Sequence, residues 1–406
     1  MTTDAGFDRR PSLIRLLVLA ILVITTSTQP AFLLGAAFFQ IGPEFGIGPV
    51  GLGALTATFF LTASAASPAM GSWVQRVGWQ RAMRVNTRVS SAIMVAIGVL
   101  ARDFWTMGGL LVLAAISYGI SNPAANLALS DHTDPSRRAT IFGAKHAGIP
   151  ASALLAGLAV PLVVVNFGWR TAVIIAALIA LALSFVVPRF EVAPSVSDAE
   201  EARSGPPRPS LSVKWLLGLA GGSALATWAA IGLGTYLVSA AVARGFSEEA
   251  AGWLQFSGAA ISITTRIAVG YLTDRYKWSG FAGIATLTGV GAVVFALMPL
   301  SASLGFVVLV LVAYGSGWGW PGLMTYTVVD ANRGSVASSS SITQAGVFVG
   351  AGAGPLILGF VIDRASFDAA WLAVSAGLLG ASIVVGVLGF EMARRRRDVA
   401  AVWDVR

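Results

Sequence analysis

Cysteine is absent from this 406-residue chain. That excludes disulfides, thiolate catalysis and any cysteine-ligated metal or cluster. Histidine occurs twice, as His132 and His146, and the pair lacks the spacing of a zinc site. Charge is scarce too: 11% of residues are Asp, Glu, Lys or Arg, against about 25% in a soluble domain. So few charged groups cannot cover the surface of a water-soluble protein of this length. A Walker loop, an HExxH helix and a G-x-S-x-G elbow are all missing, which removes an ATP-driven pump and the common hydrolases. The nucleotide-like pattern Gly317-Trp-Gly-Trp-Pro-Gly322 follows no strand and lies inside an apolar run, so it is rejected as a dinucleotide site. No cofactor is expected.

What fills the sequence instead is hydrophobic residue, 56% of the total, in runs of membrane length. A helix needs roughly 20 apolar residues to cross a bilayer. Runs of this kind lie at 14–39, 50–74, 85–101, 105–129, 139–165 and 169–188, then at 213–243, 248–272, 280–299, 302–327, 337–362 and 369–391. The first is long and polar in its middle (Thr25 to Gln29), unlike a signal peptide, and is read as a permanent span. Basic residues set the orientation. With the amino terminus inside, the cytoplasmic segments hold 20 of the 27 Lys and Arg, including Arg76, Arg81, Arg84, Arg137, Arg138, Arg275 and Arg394 to Arg397. The outer loops hold Arg102, Arg170, Arg244 and Arg364. Both termini are therefore expected in the cytoplasm, with the chain multi-pass in a bacterial plasma (inner) membrane. The same asymmetry accounts for the net charge of +8 without a nucleic-acid partner, and sets the arginine run against the inner lipid surface.

The chain resembles itself at a displacement of 198–199 residues. Gly71-Ser-Trp-Val-Gln75-Arg76-Val-Gly-Trp79 returns as Gly270-Tyr-Leu-Thr-Asp274-Arg275-Tyr-Lys-Trp278. Asp131 returns as Asp330, Pro123 as Pro321, His146-Ala-Gly148 as Gln344-Ala-Gly346, and Gly35 as Gly234. Each match keeps its place relative to its span. The fold expected is all-α and membrane-spanning, with twelve transmembrane helices in two six-helix pseudo-symmetric halves, 1–190 and 213–406. Between them, 191–212 is polar and proline-rich and reads as a disordered cytoplasmic linker. In parallel repeats of this kind the substrate binds at the interface of the halves, near mid-membrane.

Gly-x-x-x-Asp-Arg at 270–275, with its weaker echo at 71–76, resembles the signature loop of the major facilitator superfamily. Helix count, six-plus-six repeat and central linker extend the resemblance over nearly the whole chain. It implies the major facilitator fold and transport by alternating access. It also implies an inner gate, with Arg76 or Arg81 near Asp131, Arg275 near Asp330, and Asp274 close to a helix amino terminus. These contacts would hold the outward-open state and part as the carrier opens inward. Gln75 stands where the family usually has aspartate, which puts the lock of the first half in doubt. Ala-Lys145-His146-Ala-Gly-Ile-Pro150 and Thr-Gln344-Ala-Gly-Val-Phe-Val-Gly resemble the cyanate/nitroimidazole permease-like group. Arg266-x-x-x-Gly270 resembles the eighth-span arginine of monocarboxylate and oxalate carriers, which pairs with substrate carboxylate.

Charge buried in hydrocarbon is costly, so such residues are functional candidates by default. Three basic residues fall within spans: Arg88, Lys145 and Arg266. Arg88 is near a span end and can snorkel. Lys145 lies about 10 Å and Arg266 about 12 Å inside the membrane at 1.5 Å per helical residue; helix-end anchoring is the plainer reading of each. No span contains Asp or Glu away from its ends. The two cations thus lack a buried counter-ion, and an anionic substrate would supply one. The same absence leaves His146 as the one titratable group suited to proton coupling, with a neutral hydrogen-bonding role as the alternative. Gln344, Gln29, Asn122, Asn126, Tyr118, Trp228 and Tyr236 complete the candidate substrate contacts, and packing or interhelical hydrogen bonding competes for each. Pro30, Pro123, Pro150 and Pro321 are expected to kink their spans and free backbone carbonyls. Glycines 346, 350 and 354 have the spacing for close helix packing. The function expected is a monomeric carrier of a small, carboxylate-like anion. A multidrug-type exporter is the alternative, distinguished by the sign of charge in its cavity. A non-transporting sensor or a membrane enzyme is disfavoured by the short loops, which offer no soluble domain and no convergent acid/base pair.

Overall fold

The computed structural model describes residues 12–130, 135–188, 211–332 and 336–403. Ten helices there are long and apolar enough to cross a membrane. One of them, Arg138–Val186, reverses direction at Gly168 (φ 81, ψ 160), and so makes two passes. Only glycine reaches that backbone region without strain. The helix Glu248–Tyr276 makes the remaining pass: its 29 residues span about 43 Å at 1.5 Å per residue. Its composition is too polar to stand among the ten, because it carries Gln255, Ser262, Arg266 and Thr273, all buried against other spans. The described residues therefore make twelve passes, in two halves of six.

Local sequence explains where the passes begin. The first, Leu13–Ala36, is capped by Ser12. The second, Pro49–Val77, opens on a proline whose missing N–H would have had no partner in any case. Ser247 caps the eighth, with Glu248 and Glu249 in its first turn where the helix dipole favours acid. Pro30 and Pro123 sit inside unbroken helices, Leu13–Ala36 and Phe104–Ser130. The two other prolines adjoin real breaks. The fifth span divides at Ala147 into Arg138–His146 and Gly148–Ala159, then passes through a π-helical turn at Val160–Val164. The tenth divides into Ser303–Ser316 and Pro321–Ala331. The twelfth, Phe367–Trp403, runs for 37 residues, or about 55 Å, and so continues past any bilayer on the face that carries Arg76, Arg81, Arg138 and Arg275. This is called the basic face below, and its opposite the far face. Of the expected linker, residues 191–210 lie outside the described residues, and Leu211 is anchored by its N–H to Asn332 Oδ1 at 3.0 Å.

At the far face the halves are sealed. A methyl at Gly35 would lie 2.7 Å from the Thr235 carbonyl oxygen, one at Gly53 2.4 Å from that of Pro355, and one at Gly359 2.6 Å from that of Pro49. The Tyr236 hydroxyl sits 2.8 Å from both the Pro49 and Pro355 carbonyls, joining the seventh span to the second and eleventh. Within the second half, glycines 346, 350 and 354 carry the eleventh span onto the backbone of the seventh at Ala220, Ala224 and Trp228.

The far face also holds a charge-reversed pair of clasps. Arg170, opening the sixth span, bonds Glu44 at 2.6 Å and the Ala101 carbonyl at 2.8 Å. Arg244, ending the seventh, bonds Asp368 and, at 3.2 Å, the Met298 carbonyl. Each arginine ties the ends of the first, third and sixth helices of its half. In one half the donor sits on the sixth helix, in the other on the first.

Candidate functional site

Three spans meet where no side chain could fit between them. A methyl at Gly143 of the fifth would lie 2.4 Å from the Arg266 carbonyl oxygen of the eighth, and one at Gly322 of the tenth 2.6 Å from Gly143 Cα. This approach brings Lys145, His146 and Arg266 into one group. Lys145 is 4% exposed and donates to Asn126 Oδ1 of the fourth span at 2.6 Å; Asn126 itself is exposed. His146 Nε2 and Thr325 Oγ1 of the tenth span are 2.9 Å apart. Arg266 is 2% exposed. Its Nε donates to the Trp318 carbonyl at 2.9 Å and its terminal nitrogen to the His146 carbonyl, with the guanidinium 5.8 Å from the Trp318 ring centre. Each half of the repeat contributes a buried cation. Among the described residues neither cation pairs with a carboxylate, the described ion pairs being the two clasps of the far face.

The other expected contacts are dispersed. Gln29 accepts from Ser152 Oγ at 2.9 Å and ties the first span to the fifth. Tyr118 stacks on Phe59 at 5.6 Å and takes a long 3.5 Å hydrogen bond from Asn122, which is packing between the second and fourth spans. Tyr236 is not in the central group: its hydroxyl is engaged by the two carbonyls of the far-face seal. Trp228 is wedged against Gly354 and Gly377 of the eleventh and twelfth spans, and among the described residues its indole N–H has no partner. Gln344 is half-buried in the eleventh span and, among the described residues, forms no hydrogen bond to the Lys145 group. Sequence reasoning did not single out Thr325, Trp318 or Asn126's link to Lys145. The prolines at 150 and 321 were the available signal for the first two.

At the basic face, Asp274 accepts from the backbone N–H groups of Ala139 at 3.1 Å and Thr140 at 2.8 Å, and from Thr140 Oγ1 at 2.6 Å. Those N–H groups belong to the first turn of the helix opening at Arg138, where no intrahelical acceptor exists. Gly270 permits the approach, since a methyl there would lie 2.6 Å from the Ala139 carbonyl oxygen. The contact expected to hold the outward-open state is present in this conformation. The cap is made while the far face is sealed, because the fifth and eighth spans pack together from Ala139 and Gly270 to Val160 and Gly252. The first copy of the motif differs. Gln75 and Arg76 are exposed, and a methyl at Gly71 would find within 4 Å only Pro123 Cγ of its own half, at 3.8 Å. Arg81 is exposed, Arg275 lies 5.7 Å from the Tyr276 ring centre, Asp330 is half-buried, and Asp131 falls outside the described residues.

The family model described as Major Facilitator Superfamily matches residues 16–345. No curated protein matches the sequence. Among solved structures, a bacterial homologue of the human lysosomal transporter Spinster in an inward-facing, occupied conformation is similar, with a TM-score of 0.66 at 16% identity, over 95% of this chain and 97% of that one. Its inward-facing, unoccupied structure gives a TM-score of 0.69 at 16% identity, over 95% and 98%. At that identity the likeness is one of fold.

Proposed function

The chain belongs to the major facilitator superfamily of transporters, and from that premise we propose that it carries a small carboxylate-like anion across the membrane by alternating access, its basic face toward the cytoplasm. One observation carries this reading: Lys145 and Arg266, buried to 4% and 2% exposure, come from opposite halves with no carboxylate beside them among the described residues. A buried charge left without compensation costs several kcal/mol; Arg266 is already bonded to two carbonyls, and an anion entering between the halves offsets that cost for Lys145, whose one hydrogen bond is to a neutral amide. An anion at Lys145, where the fifth span packs on the eighth and tenth, is favoured most when the two halves meet around it, which is the differential affinity alternating access requires. Asn126, exposed and bonded to the Lys145 ammonium, is the neutral group such an anion would displace. His146, hydrogen-bonded to Thr325 across the halves, stands where a proton would be felt by both.

The test is thermal stabilisation of purified protein by a panel of small anions. A ligand at 100 times its Kd adds about 2.7 kcal/mol to the folded state, a readily measured rise in melting temperature. Carboxylates should raise it, and Lys145→Ala should abolish the rise while melting near wild type. Stabilisation by organic cations instead would replace the anion reading with the exporter.

A further inference from the structure

The second buried cation is bound in a way that separates its role from that of the first. Pro150 has no N–H to give to the carbonyl four residues back, which is that of His146, and the helix ends at His146. In the tenth span the helix stops at Ser316 and restarts at Pro321, leaving the Trp318 carbonyl inside the break. An unsatisfied carbonyl in hydrocarbon is costly. Arg266 donates to both: its flat guanidinium offers five N–H groups in a fixed fork, so one side chain reaches two carbonyls on two spans. Ser262, one helical turn earlier, also faces the Trp318 carbonyl, at 3.5 Å.

We infer that Arg266 is a positioning residue, a pin that closes the helix breaks of the fifth and tenth spans across the two halves, and that Lys145 is the cation that meets the solute. The pin stands independently; only the role given to Lys145 rests on the anion reading. Pinning the His146 carbonyl fixes the peptide that follows His146, one residue past Lys145, and so steadies the backbone that carries the ammonium. Lys145 is not committed to main chain: its hydrogen bond goes to the neutral amide of Asn126. The repeat makes the device specific to this interface. The mate of Arg266 is Ser67, whose hydroxyl turns back to its own helix at Ala63, 2.9 Å away. The mates of Gly143 and Gly322 are Ser341 and Ala124, which carry side chains where the pinned interface has none.

The full-length protein tests this with a double-mutant cycle. Pro150→Ala restores an N–H that the His146 carbonyl can accept. Arg266→Gln should lower the melting temperature, and adding Pro150→Ala should return a large part of the loss, a non-additivity expected only if both changes act on one carbonyl. If Arg266→Gln yields no folded protein, Arg266→Lys takes its place, since one ammonium cannot hold the same fork. With acetate, benzoate and succinate as probes, the double variant should keep its thermal shift and Lys145→Ala should lose it. Additive melting temperatures in the cycle overturn the pin. A probe shift lost with Arg266 in both backgrounds and kept in Lys145→Ala overturns the division of roles. If no carboxylate shifts the wild type, the anion reading and the Lys145 role fail, and the cycle still decides the pin.

Discussion

Replacing Asp274 with alanine should unfasten one corner of the basic face, and the structure sets the size of the effect. The carboxylate holds the N–H groups of Ala139 and Thr140, which have no other acceptor in the first helical turn. A hydrogen bond to a charged group contributes about 1.5–3 kcal/mol. Loss at each amide should therefore speed its exchange roughly 10- to 150-fold, at 1.4 kcal/mol per factor of ten. Hydrogen-exchange mass spectrometry on the peptide covering 138–146 reads this directly: two deuterons should move to early time points, while the far-face seal around Pro49 and Pro355 is unchanged. Asp274→Asn keeps one acceptor oxygen and should expose one amide rather than two. Unchanged exchange at 139 and 140 in the alanine variant would refute the cap as the source of their protection.

Three further outcomes are expected. Glu44 has its pKa lowered from 4.5 by the hydrogen bond from Arg170; a depressed carboxyl stabilises above its unfolded pKa and loses that contribution as pH falls through the folded one. Glu44→Gln should thus flatten the acid limb of a stability-versus-pH curve below about pH 4.5, by the modest 0.2–1 kcal/mol or so of an exposed pair. Gly350→Leu should lower the melting temperature sharply, since even a methyl there would lie 2.1 Å from the Ala224 carbonyl oxygen; a wild-type melt would show the seventh and eleventh spans can separate freely. Reporter fusions at residues 166 and 200 should give opposite signals, and equal signals would break the assignment of sides.

The twelve passes were legible because hydrocarbon thickness fixes run length, and three runs survived departures from the rule. The eighth was found as a span despite its polarity, since its glycines and alanines still outnumber its charges. The fifth and sixth runs, 139–165 and 169–188, are separate in the sequence although their helices are nearly continuous, and the structure puts the reversal between them at Gly168. The placing of Lys145 and Arg266 inside their spans was legible from depth. What holds Arg266 was not: it depends on which face the broken tenth span turns toward the eighth, and no one-dimensional pattern encodes that. Tyr236 was misplaced for a related reason. Its hydroxyl finds carbonyls at Pro49 and Pro355, more than a hundred residues away on either side. The far-face clasps were hidden by their reversed polarity, since a repeat search looks for like residues and Glu44–Arg170 answers Arg244–Asp368 with the charges exchanged.

The halves are thus symmetric in path and unequal in fastening, and the inequality follows the motif. The intact copy, Gly270 with Asp274, binds the eighth span to the start of the fifth, and Arg266 adds its pin one or two turns deeper. At the degenerate copy a methyl on Gly71 would find nothing of the eleventh span within 4 Å among the described residues, and Gln75 is exposed. With the far face sealed along both the first–seventh and second–eleventh contacts, movement at the basic face is easiest on the side of the second and eleventh spans. Restoring the motif by Gln75→Asp should therefore act on conformation rather than on binding. A carboxylate at 75 that capped the eleventh span as Asp274 caps the fifth would gain about 0.3–1 kcal/mol from the helix dipole alone, enough to shift a two-state balance about two- to fivefold. Cysteine pairs placed at Ser72 and Gln344 in this cysteine-free chain would report it through cross-linking rates. Faster cross-linking in the aspartate variant supports unequal fastening as the origin of the opening. Identical rates would mean that the missing carboxylate is not what leaves this side loose.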